Sequence, residues 1–337
     1  MRVLISGYYG FGNLGDEALL SGLGAGLRAR GHEVRVLSGD PEATRALHGV
    51  DSVDRYRGLV GALLRADALV SGGGGLLQDV SSRRSLAYYL TVLRLGRLLG
   101  KRVCVYGQSI GPLGPGGRER VARALRGVPV AVRDIPSQTL LAQLGVPAAL
   151  VADPALLLPC APAPDGHTQP EADRPVVLVP RGAHPDLTEA LAEAGLRLLA
   201  DGVPVAVLGL HEDEDAADVA RLARALEVEA WRASTPADAL SLLGRARYVL
   251  SVRLHGLIFA AACKVGFAGL VYDPKVAGFL REARAPLFER PVDPARLAEM
   301  ARTAAPPDTD ALAGLVQRAR DGLDWLHGRL LGQHTYD

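Results

Sequence analysis

Arg2-Val3-Leu4-Ile5-Ser6-Gly7-Tyr8-Tyr9-Gly10-Phe11-Gly12-Asn13-Leu14-Gly15-Asp16-Glu17 opens the chain and sets its architecture. A short apolar run passes through a turn holding four glycines into a helical pattern near Asp16, which reads as a βα unit. Glycine in such a turn admits positive φ and lets backbone N–H groups approach an anion or a sugar. Asn13 is the only asparagine among 337 residues. It suits either a turn that bonds its own main chain or a polar contact with a ligand at the mouth of the turn.

Outward from this unit the same rhythm repeats. Strands are expected at Arg2 to Ser6, Val34 to Leu37, Ala68 to Ser71, Arg102 to Tyr106, Val128 to Val132 and Ala148 to Val151, with helices starting near Asp16, Arg83, Gly117 and Pro136. The run Ala161-Pro162-Ala163-Pro164 through Pro170 breaks it, since proline fixes φ and removes donors. Strands resume at Pro175 to Val179, Pro204 to Leu208, Tyr248 to Val252 and Gly266 to Val271. From Asp308 to Leu330, Leu312, Leu315, Val316, Ala319, Leu323 and Leu326 fall at helical spacing. The fold class is therefore α/β with two doubly wound, Rossmann-like domains: 1–160, a linker at 161–173, 174–307, and a C-terminal helix at 308–337. Ligands of open parallel sheets bind beyond the carboxyl ends of the strands, so a cleft between the domains is expected to gather the functional loops.

Composition narrows the class. Thirty-eight basic and 37 acidic residues nearly cancel, so the basic footprint of a nucleic-acid binder is missing and no nucleic-acid partner is expected. Cys104, Cys160 and Cys263 are odd in number and lack metal-ligand spacing, which indicates neither a disulfide framework nor a zinc site. No metal is called for. The start of the chain does not read as a signal segment, and no run has membrane-spanning length without charge, so a cytoplasmic protein is expected. The arginines from Arg83-Arg84 to Arg94 and Arg97 suit a solvated helix first and peripheral contact with the inner membrane face second. The oligomeric state is not legible.

Candidate site residues lie at the strand ends. In the first domain they are Gly12 and Asn13, then Gly74 and Gly75 of Gly72-Gly73-Gly74-Gly75, then Gln108 of Gly107-Gln108-Ser109-Ile110-Gly111-Pro112, and Arg133 of Arg133-Asp134. None of these loops is a P-loop or a complete dinucleotide fingerprint. Asp16 and Asp79 are carboxylates placed either to cap helices or to draw a proton from a sugar hydroxyl. In the second domain Arg253-Leu254-His255 ends a strand and opens a helix, combining a permanent cation, an acid/base and free backbone donors. The other use of such a pair is a capping His and an ion-paired Arg. Lys275, one of three lysines, follows the next strand in Tyr272-Asp273-Pro274-Lys275 as a compact point charge. Arg181 adds a cation after a further strand. The run His211-Glu212-Asp213-Glu214-Asp215 reads as a solvated helix start.

As a set, Gly7 to Glu17, Gly72 to Gly75, Gly107 to Pro112, Arg133-Asp134, Arg253-Leu254-His255 and Tyr272 to Lys275 resemble the polysaccharide pyruvyl transferase family, and most closely its bacterial cell-surface-anchoring members. The resemblance spans roughly residues 1 to 280. It implies a GT-B-like fold, phosphoenolpyruvate as donor substrate without a further cofactor, and a lipid-linked saccharide acceptor, a cell-wall precursor containing N-acetylmannosamine that serves surface-layer anchoring. The product is a pyruvate ketal. The first domain then faces the acceptor and the second the donor. His255 is the implied general acid, Arg133 and Arg253 grip the donor's phosphate and carboxylate beside Leu254, Lys275 neutralises the departing phosphate, and Asp16 or Asp79 is the base. Cys263-Lys264-Val265-Gly266-Phe267 departs from the small-residue-Gly-Val-Pro pattern expected before the next strand. A nucleotide-sugar glycosyltransferase on the same architecture, or a non-catalytic metabolite-binding protein, is the alternative reading.

Overall fold

The computed structural model describes residues 1–80, 82–160 and 173–333. Two compact units share the chain: Met1–Phe11, Asp16–Pro154 and the chain from Val316 make the first, and Gly12–Gly15 with Ala155–Leu315 make the second. Apart from residue 173, the expected linker 161–173 lies outside the described residues.

The first unit has strands β1 (Arg2–Ser6), β2 (Glu33–Ser38), β3 (Asp51–Asp54), β4 (Ala68–Ser71), β5 (Gly74–Leu77), β6 (Arg102–Ile110), β7 (Val130–Val132) and β8 (Ala149–Leu150). Their order is β3-β2-β1-β4-β6-β7-β8, with β5 pairing β6 off this path, and every pair is parallel. The connecting helices are α1 (Leu14–Ala29), α2 (Pro41–His48), α3 (Leu59–Arg65), α4 (Arg83–Leu98), α5 (Pro115–Leu125) and α6 (Ile135–Gln143). Β-branched and leucine-rich runs such as Ala68-Leu69-Val70-Ser71 are buried throughout, as strands covered on both faces must be.

In the second unit β9 (Val176–Val179), β10 (Val205–Leu208), β11 (Ala230–Trp231), β12 (Tyr248–Ser251), β13 (Gly266–Leu270) and β14 (Leu287–Phe288) form a parallel sheet of order β11-β10-β9-β12-β13-β14. This is the 3-2-1-4-5-6 order of a doubly wound fold, whose direction of winding reverses between β9 and β12. In the first sheet the reversal falls between β1 and β4. The helices are α7 (Pro185–Ala200), α8 (Glu212–Leu226), α9 (Pro236–Gly244), α10 (Leu254–Ala262), α11 (Pro274–Glu282), α12 (Pro294–Thr303) and α13 (Thr309–Leu331). The α/β class expected from sequence is therefore present twice.

Two differences from the sequence reading concern the strand ends and the cysteines. Gly74 and Gly75, expected in a loop, stand in β5, where Gly74 pairs with Gln108. Cys160 and Cys263 form a disulfide with Cα atoms 5.2 Å apart across 103 residues of sequence. Their spacing carries no signal because only the fold brings β12–α10 against the segment after Pro154. Cys104 is free and buried.

Candidate functional site

Because the second sheet is parallel, the residues following β9, β10, β12 and β13 all leave from one edge. They are Arg181, His211, Arg253 with His255, and Tyr272 with Lys275. Asp215, in the first turn of α8, joins three of these ends. Its carboxylate accepts from Leu210 N at 3.1 Å, His211 N at 3.0 Å and Gly182 N at 3.3 Å. It also accepts from Arg253 Nε at 2.6 Å and Nη2 at 2.5 Å. A buried guanidinium needs such a partner. Glu214 Oε2 takes a further Nη2 bond at 2.9 Å. Burial alone would lower the Arg253 pKa, but the carboxylates of Asp215 and Glu214 reverse this and hold it above its ordinary value. Nη1 of Arg253 makes no hydrogen bond among the described residues.

The acidic run is a helix start, as expected, with Glu212, Asp213 and Glu214 exposed, but its two ends are not solvated. His211 and Asp215 are buried, because the run begins at a strand end and one turn of helix points back into the sheet edge. His211 caps α8 through Nδ1, which accepts from Glu214 N at 3.4 Å, while its buried Nε2 has no partner. Burial pushes its pKa below the usual histidine value, with Glu214 opposing the shift and Arg253 adding to it; Glu214 Oε1 lies 3.8 Å from Nε2.

His255, half-buried in the first turn of α10, lies against Gly15. A Cβ on Gly15 would stand 2.0 Å from His255 Nδ1, so any side chain there must displace the imidazole. Leu254 is buried at the start of the same helix. Gly12–Gly15 belong to this unit through bonds from Leu14 N to Leu210 O at 2.9 Å and Glu212 N to Gly12 O at 3.3 Å, with Asn13 and His211 bridged. Asn13 Oδ1 accepts from Gly15 N at 3.0 Å, the turn-forming use. Lys275 Nζ is 3.7 Å from Asp273 and 5.7 Å from the Tyr272 ring centroid. Arg181 donates to the Tyr272 hydroxyl at 2.9 Å, and the His184 ring packs against Tyr272 with centroids 4.7 Å apart.

The first unit holds the remaining candidates. Gly10 N donates to Glu17 Oε1 at 2.7 Å, and the other Glu17 oxygen meets His48 Nε2 at 2.7 Å, which latches the glycine turn to α1 and α2. Asp16 is buried beside Gly74, where a Cβ would come within 2.6 Å of its Oδ1. Tyr9 lies at the same place, its buried hydroxyl without a partner and its pKa raised by burial and then by Asp16. Gln108 is fully buried: Nε2 donates to Ser71 Oγ at 2.8 Å and Gly72 O at 3.0 Å, bracing β6 against β4. Asp79 sits at the start of α5, accepting from Gly114 N at 2.9 Å. Arg133 is buried, donating to Ser109 Oγ at 2.9 Å and pairing with Asp153.

Within the second unit the structure gathers Arg253, Leu254, His255, Asn13 and Gly12, together with Lys275 one strand further along. Within the first it gathers Asp16, Gly74 and Gly75, whereas Asp79 stands at a different helix start. Sequence reasoning missed Asp215, His211 and Tyr9. Only an unbroken acidic run followed by apolar helix spacing marked the first two.

The sequence profile of the family described as Polysaccharide pyruvyl transferase matches residues 13–274. No curated protein matches the chain in sequence. Among solved structures, HepE of Anabaena in complex with UDP and glucose is similar at 13% identity, covering 99% of this chain and 100% of its own, with a TM-score of 0.65. The UDP co-structure of S. aureus MnaA is similar at 10% identity, 100% and 98% coverage and a TM-score of 0.66. UDP-GlcNAc 2-epimerase of Neisseria meningitidis bound to UDP-GlcNAc follows at 11% identity, 98% and 100% coverage and a TM-score of 0.58. These likenesses show the GT-B-like fold. With 13–274 covered by the profile, the chain belongs to the polysaccharide pyruvyl transferase family.

Proposed function

We propose that the chain transfers the pyruvyl group of phosphoenolpyruvate to a saccharide acceptor, a lipid-linked cell-wall precursor containing N-acetylmannosamine, in support of surface-layer anchoring. Two sugar hydroxyls bond to C2 of the donor, C3 gains one hydroxyl proton to become methyl, and phosphate leaves with the other. The supporting observation is the second sheet's edge, where Arg181, Arg253, His255 and Lys275 follow β9, β12 and β13. His255 delivers the proton to C3. Lys275 takes the charge of the leaving phosphate. Arg253, oriented by Asp215, offers Nη1 to a donor oxygen, and Arg133 serves a donor or acceptor anion from the first unit. Asp16 or Asp79, on the first unit, is the base. Acid–base and electrostatic chemistry suffices, so this reading includes no cofactor. On this reading the protein works in the cytoplasm, with peripheral contact with the inner membrane face as the second alternative. Among the described residues no helix is long and apolar enough to cross a membrane.

The test is phosphate release from phosphoenolpyruvate with and without the acceptor, run in heavy water. Acceptor-dependent release with deuterium in the product methyl is expected, and His255→Ala should lose about 10²–10⁴-fold in rate. Consumption of a UDP-sugar with no phosphoenolpyruvate turnover would reject the reading in favour of a glycosyltransferase.

A further inference from the structure

Arg55 follows β3 at the carboxyl edge of the first sheet and is used by nothing described above. It is 7% exposed, its Nε has no acceptor, and no carboxylate pairs with it among the described residues. The neighbouring Asp54 accepts from Tyr56 N at 2.9 Å and Arg57 N at 2.7 Å, turned to its own backbone. What surrounds the guanidinium is aromatic: its carbon lies 4.0 Å from the Tyr88 centroid, 5.3 Å from those of Phe11 and Tyr56, and 5.4 Å from Tyr89. Tyr8 stacks on Phe11 at 4.4 Å. Four of the chain's nine tyrosines meet at this one corner, in a protein only 5% aromatic.

Burial opposes the charge of Arg55, but Tyr89, Tyr88 and Tyr56 outweigh it and hold its pKa above the ordinary value. Ring faces attract a cation without supplying the anionic partner that a carboxylate would be. The exposed Tyr56, 68% accessible, and the half-buried Tyr8, Phe11 and Tyr88 leave partly exposed aromatic surface of the kind on which a pyranose packs. Arginine supplies a planar fork that fits phosphate or carboxylate oxygens. We propose that Arg55, Tyr56, Tyr88, Phe11 and Tyr8 form a subsite for an anionic saccharide, with the sugar ring on the aromatic faces and its phosphate or carboxylate on Arg55. As the part of the acceptor that carries charge, this ligand rests on the pyruvyl-transfer reading.

Calorimetric titration of the full chain with glucose 1-phosphate, glucuronate and glucose tests it. At least one anion binds ten-fold or more tighter than glucose; tighter phosphate identifies a phosphorylated acceptor, tighter glucuronate a uronate. Arg55→Met abolishes the preference and Arg55→Lys keeps part of it. Tyr56→Ala, at an exposed position that leaves the fold intact, weakens all three ligands several-fold. Equal binding of the three sugars by the native chain, or a folded Arg55→Met that keeps the preference, overturns the subsite. Equal binding by the native chain alongside normal acceptor-dependent phosphate release removes the subsite alone. A retained preference without phosphoenolpyruvate turnover removes only the pyruvyl-transfer reading.

Discussion

Arg253 and His255 show how much a motif leaves undecided at the scale of single residues. The pair is visible in sequence, but its geometry depends on Asp215, 38 residues away, and on Gly15 from the opening loop. Removing Asp215 leaves a buried, unpaired guanidinium and three backbone donors without an acceptor. Asp215→Ala is expected to cost about 3–5 kcal/mol of stability, read from chemical denaturation, and a cost below about 1 kcal/mol would show that Arg253 finds another partner. Gly15→Ala forces the imidazole to move. Since a displacement of about 1 Å at a reacting group costs roughly 10²-fold, turnover should fall by that order while the melting temperature changes little; unchanged turnover would detach His255 from the chemistry. Neither partner was readable beforehand: Asp215 sat in a run whose charges suggested solvent, and nothing in Gly15 names the ring it faces.

Elements were legible where burial on both faces makes a continuous apolar run. Arg2–Ser6 and Ala68–Ser71 coincide with β1 and β4, and the terminal helix, expected from Asp308 to Leu330, is observed as Thr309–Leu331. Elements lacking that signature were missed. The polar edge strand Asp51-Ser52-Val53-Asp54 and the two-residue strands β11 and β14 owe their state to a neighbouring strand rather than to their own pattern, and β5 is half glycine. Helices α2 and α3, of eight and seven residues, are too short to show a period. The stripe on α13 supports a direct test. Leu312 and Leu315 are buried in the part belonging to the second unit, and Ala319, Leu323, Leu326 and Leu330 in the part belonging to the first. Leu326→Ala should therefore cost about 2–5 kcal/mol, measured by denaturant unfolding. A cost near zero would mean that the end of α13 frays without consequence.

At the scale of the whole molecule, acid should weaken the fold before carboxylates begin to titrate. His32 and His211 are both buried, and burial holds the pKa of each below the usual value, with His327 and Arg253 adding to it. In the unfolded chain each titrates near ~6.5. The unfolded state then takes up the proton first, so their contribution is complete above that pH and is lost as pH falls toward the folded values. The melting temperature should therefore be lower at pH 5 than at pH 7; a flat profile would show that both rings protonate without cost. The sequence by itself determined the α/β class, the repetition of the βα rhythm on either side of the proline-rich stretch, and the placing of glycine and cationic residues at strand ends. It could do so because burial periodicity and glycine's freedom at turns act over a few residues. The tertiary structure decided the Cys160–Cys263 bond, the Asp215 clamp on Arg253, the Arg133–Asp153 pair, the assignment of Gly12–Gly15 to the second unit and the tyrosine cage of Arg55. Each joins residues far apart in the chain, and a buried charge or thiol chooses its partner by distance in space, which local spacing does not encode.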